Sequence, residues 1–231
     1  MTTRFWNLLT RSIRPSASSL SDTGQSYKPA IHTRHFWQFL VPYFNAYDKN
    51  RIEEIGPDLA AAQWLLRNGA SVTFKGTTKV KDYNRLPKDI KAPNARQKYL
   101  VESIDGTDSS ISHHGFRYLA GLTAVKEVKL IRCHYITNEA LNQLVQIKDS
   151  LERLEVVTCG AISDRGIMTL PNLTNLRYLY LYDLPLVIDR GKIASIIKHQ
   201  LPKTEIYWPE TGKNSVLKDS DRRIIDKTTK L

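Results

Sequence analysis

Residues 125–137, VKEVKLIRCHYIT, return at 151–163 as LERLEVVTCGAIS. Leu151, Leu154, Val156, Cys159, Ile162 and Ser163 stand 26 positions after Val125, Val128, Leu130, Cys133, Ile136 and Thr137. Apolar residues alternate through the first half of each copy, which is the period of a half-buried strand. A third copy opens with Leu176, Leu179 and Leu181 and departs from the pattern where Leu184-Pro185 replaces the cysteine turn. A worn copy precedes these, running from Ile104 through Ile111, Gly115 and Phe116 to Leu119.

Periods of roughly 20–29 residues with alternating apolar positions belong to solenoids, in which each unit buries its apolar edge only against its neighbours. The expected fold is α/β: a short right-handed leucine-rich-repeat solenoid of about four cysteine-containing repeats, capped by an N-terminal helical domain. In each repeat a strand lines one face, the cysteine or its substitute turns the chain, and the segment after Ile-Ser/Thr-Asp/Asn forms a helix on the other face. Thr137 and Ser163 stand where they can cap those helices. Cys133 and Cys159 occupy the same inward position and read as small buried hydrophobes, structural repeat cysteines rather than a disulfide. Such solenoids mostly bind other proteins, and the strand positions Lys129, Glu155, Tyr180 and Tyr182 are expected to be exposed and to form the partner-binding surface, tyrosine being suited to that work.

Composition narrows the classes. With 231 residues, 41% hydrophobic and 25% charged, the chain has ample core for a globular protein. No stretch approaches the ~18 consecutive apolar residues of a transmembrane segment, so any membrane role is peripheral. The net charge of +11 is spread along the chain without a block of consecutive Lys and Arg, which argues against a nucleic-acid partner and favours acidic proteins or an anionic lipid surface.

Outside the repeats the chain divides in four. Residues 1–32 contain Arg4, Arg11 and Arg14, a Ser-rich stretch from Ser16 to Ser21, and no acid before Asp22. That is the composition of a mitochondrial transit peptide, and equally of a disordered basic tail; on either reading the segment stands outside the fold. Residues 33–75 read as a helical capping domain. Arg34 to Tyr47 is aromatic-rich and bent at Pro42, Asp48 caps a helix through Ile55, and Gly56-Pro57 opens a third helix that ends before Gly69. Its apolar face is Leu59, Ala62, Leu65 and Leu66. Residues 76–98 form a connecting loop, with a short strand just before it at Ala70 to Phe74. Residues 99–208 hold the repeats, closing with a helix from Lys192 to Gln200 and a strand from Thr204 to Trp208. Residues 209–231 form a polar, disordered tail.

No catalytic unit emerges, and the chain reads as not an enzyme. His113 and His114 lie near Asp105, Asp108, Ser109, Ser110 and Ser112, but neighbours on one turn do not make a triad, and no nucleophile elbow or phosphate loop is present. His32 and His35 read as surface residues, and His134 as structural.

Several non-repeat motifs carry a resemblance: Phe36-Trp37, Asp48 with Arg51-Ile52, Gly56-Pro57-Asp58, Trp64-Leu65-Leu66-Arg67 and Gly69-Ala70. They continue through Asp82-Tyr83-Asn84, Leu86-Pro87, Ile104-Asp105, Thr107-Asp108-Ser109, Cys133-His134-Tyr135-Ile136, Cys159-Gly160 and Asp183-Leu184-Pro185. Over residues 34–206 the chain resembles the coupling factor B family of mitochondrial ATP synthase, also called subunit s. The resemblance implies a noncatalytic coupling factor, peripheral on the matrix side of the inner mitochondrial membrane, that docks on the membrane sector of ATP synthase and is needed for its proton conduction. It also implies a Mg2+ ion bound at Gly69 and Thr107. Glycine can offer only its carbonyl, so the ion would keep several waters, which Asp58, Asp105 and Asp108 could hold. The plain alternative makes Gly69 a helix C-cap and Thr107 a turn residue.

Two positions depart from the family pattern. The first member of its Cys-x-Cys pair is Ile131, so a vicinal dithiol is impossible, and the cysteine of its Arg-Cys-Gly is Asn68. Two other readings remain. An assembly factor for the membrane arm of respiratory complex I shares the repeats and the Asp-Leu-Pro ending, but fits the N-terminal motifs less well. An F-box ubiquitin-ligase adaptor uses the same cysteine-containing repeats, but Arg34 to Gly69 lacks its Leu-Pro opening.

Overall fold

The computed structural model describes residues 40–87, 89 and 94–209. The expectations for residues 1–32, His32, His35, Phe36-Trp37 and the tail after Pro209 fall outside the described residues. Residues 40–44 are helical. Helix α1, Lys49–Ile55, starts where the Asp48 carboxylate accepts from the Arg51 N–H at 3.0 Å. Gly56, at φ 89°, turns the chain directly into α2, Pro57–Arg67, whose first position carries the proline.

Helix α2 is buried from Asp58 through Leu66, more completely than the one-sided face expected from its sequence. Trp64 explains the close fit. Its ring stacks on Tyr118 at 5.6 Å and meets the edge of Phe116 at 5.9 Å. A methyl group at Gly115 would come within 2.1 Å of the indole nitrogen, so only glycine fits there.

Strand β1, Ser71–Phe74, follows at once. The segment expected to be a loop carries a 3-10 turn at Tyr83–Arg85 and a short helix α3, Ala95–Lys98. Val80 makes an antiparallel bridge with Val72, closing a tight hairpin on β1. Periodicity gave no hint of either, because both are too short to display one.

Then come β2, Val101–Asp105; β3, Glu127–Ile131; β4, Arg153–Val157; β5, Tyr178–Tyr182; and β6, Glu205–Tyr207. Among the described residues these six strands form one sheet in chain order, with β1 antiparallel to β2 and all later neighbours parallel. Parallel neighbours require a crossover on one side of the sheet. A 3-10 turn at Gly115–Leu119 supplies the first, and α4, Asn138–Gln143, with a 3-10 turn at Leu144–Ile147, the second. Helix α5, Asp164–Ile167, with Leu170–Asn172, and helix α6, Arg190–Gln200, supply the others.

Register aligns Ile104, Val128, Leu154, Leu179 and Ile206 in one row across the sheet, facing the crossovers. The first four of that row, together with Leu130, Val156 and Leu181, belong to the main core, and the partly buried Ile206 packs against it. Cys133 and Cys159 are buried free thiols. Cys133 Sγ lies 2.9 Å from the Gly106 carbonyl and Cys159 Sγ 3.3 Å from that of Leu130, each reaching the coil before its own.

After each inner strand the chain turns through a non-glycine residue in the left-handed region: Asp108, Arg132, Thr158 and Asp183, with φ between 50° and 55°. The first three donate their N–H groups to Ile131, Val157 and Tyr182, extending each ladder onto the next strand. That conformation costs roughly 1–2 kcal/mol per residue, offset here by backbone groups that would otherwise be orphaned.

The capping expectation needs correction. Thr137 and Ser163 hold the N-cap positions, but neither side chain caps its helix. The Thr137 hydroxyl donates to Glu139 at 2.6 Å. Asn138 instead receives the Ser163 N–H at 3.0 Å and donates to the Ser163 hydroxyl at 3.0 Å, tying one crossover to the next.

Candidate functional site

On the sheet face away from the crossovers, register makes a second row: Asp105, Lys129, Glu155, Tyr180 and Tyr207. Charge alternates along its first three members. Lys129 Nζ lies 3.5 Å from Glu155 and 3.6 Å from Glu127. Beside it runs Ser103, Glu127, Arg153 and Tyr178. Ser103 bonds Glu127 at 3.2 Å, Arg153 pairs with Glu127 at 3.7 Å, and the Arg153 guanidinium sits 4.3 Å over the Tyr178 ring. The other flank is apolar, with Ile131 and Val157 packed together with Tyr180. The face is therefore ionic at its β3 side and aromatic at its β5–β6 side.

Exposure along this face differs from the expectation. Lys129 and Tyr182 are partly exposed, but Tyr180 keeps only 1% of its surface and Glu155 only 4%. The reason lies in their neighbours. Tyr180 stacks on Tyr207 at 5.4 Å and is flanked on its own strand by Tyr178 and Tyr182, while Glu155 sits between Lys129 and Tyr180. Burial raises the Glu155 carboxyl above its usual range, Lys129 offsetting this only in part.

Gly69 and Thr107 flank the open end of the β1–β2 pair, Gly69 two residues before Ser71 and Thr107 two residues after Asp105, its register partner. Ser110 N–H donates to the Asn68 carbonyl at 2.8 Å, holding the two segments together. Gly69 has φ 81°, fitting its reading as the residue that ends α2.

The three acids expected to hold the waters of a bound ion all have partners within the protein. Asp58 accepts from the Val101 N–H at 2.7 Å in the core, and Asp108 makes a two-point ion pair with Arg132 at 2.7 and 2.6 Å. Asp105 accepts from the N–H and hydroxyl of Thr107 at 2.9 and 2.6 Å, and its other oxygen meets Lys79. Burial would raise the Asp105 carboxyl, but the bonds from Lys79 and Thr107 outweigh it and hold the group below its usual range. Among the described residues no three His, Cys, Asp or Glu side chains gather as a metal site. Lys79 had no signal in the sequence, since only the Val72–Val80 bridge brings it to Asp105.

His113 and His114 contact each other, ring centroids 4.0 Å apart, and His113 Nδ1 lies 3.5 Å from Thr137 Oγ1. Burial lowers His114, and the His113 charge lowers it further. Ser112 Oγ lies 3.4 Å from His114 Nδ1, and no ion pair of either histidine with Asp105 or Asp108 is found among the described residues.

No family model matches the chain. Over 178 residues, covering 75% of this chain and 86% of the relative, it is 41% identical to the Bos taurus protein named "ATP synthase subunit s, mitochondrial". The Rattus norvegicus and Homo sapiens proteins of the same name are each 40% identical with the same coverage. The chain belongs to the mitochondrial ATP synthase subunit s family.

Both departures from the subunit s family pattern have structural consequences. Ile131 packs with Val157 and Tyr180, whereas Cys133 lies in the main core, so the two positions belong to different apolar clusters. Asn68 is buried, its amide donating to the carbonyls of Phe44 and Trp64 at 3.1 and 2.9 Å. Contact with the Cys159 thiol, together with burial, pushes the Cys133 thiol well above its usual range.

Proposed function

We propose that this chain is a noncatalytic subunit or coupling factor of mitochondrial ATP synthase, acting by protein–protein binding and supporting proton conduction through the membrane sector. The observation that carries this reading is its identity of about 40% with proteins named as that subunit, over 86% of their length. Leucine-rich-repeat architecture is part of the proposal, supported by the 26-residue repetition and by parallel register joining equivalent residues of successive copies. So are a targeting segment at 1–32, a capping region at 33–75, a connection at 76–98 and repeats at 99–208.

The working surface is the sheet face that carries Lys129 and Tyr182, with Glu155 and Tyr180 as its buried floor. Association with the inner membrane is peripheral, from the matrix side. No described helix is long and apolar enough to cross a bilayer, which suits that arrangement.

The test is native-gel separation of solubilised mitochondria expressing the tagged full-length chain. Co-migration with ATP synthase, reduced by Lys129→Ala with Tyr182→Ala, is the expected result. Migration with complex I intermediates, or a cytosolic location, would overturn it.

A further inference from the structure

Family resemblance brings magnesium to the corner formed by Gly69 and Thr107, and the residues present there do not fit a resident divalent ion. Mg2+ is a hard cation held by carboxylate oxygens, carbonyls and retained waters. The corner has one buried carboxylate, Asp105, and both its oxygens are used. Thr107 occupies one with two donors, and the Lys79 ammonium occupies the other. Asp108 is drawn off by the two-point bond to Arg132. A dication entering here would meet a compensated carboxylate and a nearby positive charge.

Lys79 is not a chance visitor to this spot. The next residue, Val80, exchanges two backbone hydrogen bonds with Val72, at 2.7 and 3.0 Å, and Ser71 beside Val72 is the register partner of Asp105. Thr77 closes the turn by bonding the Phe74 carbonyl through both its N–H and its hydroxyl at 3.0 Å. The hairpin therefore delivers Lys79 to Asp105 from a fixed backbone position, and the Lys79 side chain keeps only 30% of its surface.

We infer that Lys79 is a built-in substitute for a divalent cation at the Asp105–Thr107 corner, so that this chain's fold there is independent of magnesium. Neutralising Lys79 frees one Asp105 oxygen, the other staying with Thr107, and converts the corner into a weak site for a hard divalent ion. This inference stands apart from the ATP synthase reading, because it concerns only the chain's own stability.

The experiment compares thermal melting of the full-length chain and of Lys79→Met in millimolar MgCl2 and in EDTA. For the unmodified chain the two Tm values should coincide. Lys79→Met should melt lower in EDTA and recover about 2–4 °C in magnesium. A Mn2+ titration followed by NMR gives a second reading: the amide signals of residues 69 and 105–108 should broaden in Lys79→Met and stay sharp in the unmodified chain. A magnesium-dependent rise in Tm, or Mn2+ broadening at those amides, in the unmodified chain would overturn the inference, and that measurement stands even if Lys79→Met fails to fold. An unresponsive, folded Lys79→Met would overturn it as well.

Discussion

The side-chain amide of Asn45 donates to the side-chain oxygen of Asn68 at 3.1 Å, inside the molecule, across 23 residues of chain. Asn45 also bonds the Ser110 carbonyl at 3.0 Å and receives the Trp64 indole N–H and the Ser112 N–H, each at 2.9 Å. One asparagine thus joins the N-terminal segment, α2 and the loop after β2. Buried amides are worth keeping only when all their groups are satisfied, and here they are.

Asn68→Cys, which restores the family residue, should therefore destabilise this chain by about 1–3 kcal/mol, because it takes one acceptor from the Asn45 amide and removes the Asn68 donor from the Phe44 carbonyl. Urea denaturation monitored by Trp fluorescence measures it. A change within error of zero would mean that the network contributes nothing net.

Gly115→Ala should cost more than about 2 kcal/mol, since its methyl would overlap the Trp64 indole. Adding Trp64→Leu should relieve part of that loss. Strict additivity of the two changes in a double-mutant cycle would count against the contact.

Thr158→Gly should stabilise the fold by up to about 1 kcal/mol, because a β-branched residue holds φ 51° there and its backbone bond to Tyr182 survives the change. Asp108→Gly relieves the same strain but loses the Arg132 pair, so its net effect should be smaller. The two Tm shifts should rank in that order.

Glu155→Gln tests the buried part of the sheet face that carries Lys129. The carboxyl is raised in the folded protein, so its ionised form is penalised above that folded value and not below the unfolded one. The variant should gain Tm at neutral pH and lose its advantage as pH falls through the carboxylate range. A constant difference at every pH would point to packing instead.

Tyr180→Ala should destabilise by about 3–5 kcal/mol, as expected for a buried aromatic ring, whereas Tyr182→Ala should leave the chain folded. Only Tyr182 is thus a clean probe of partner capture, and equal losses of stability would refute the distinction.

The strands and their spacing were readable because one face of each is buried, which forces alternation at a fixed interval. Asp48, Gly56 and Pro57 announced the N-terminal helices through their own stereochemistry. Exposure on the sheet face was misjudged for Tyr180 and Glu155, since alternation says which face a residue takes but not how far its neighbours cover it. Lys79 and Asn45 were invisible for a different reason: Lys79 meets Asp105 across 26 residues, and Asn45 joins Trp64 and Ser112 across 19 and 67.

The left-handed turns after β2, β3 and β4 each pass one N–H to the strand that follows, in the same way. Duplicating residues 127–152 in frame would present the same N–H and the same strand register once more, so the sheet has a joint at which its length could change by one whole step.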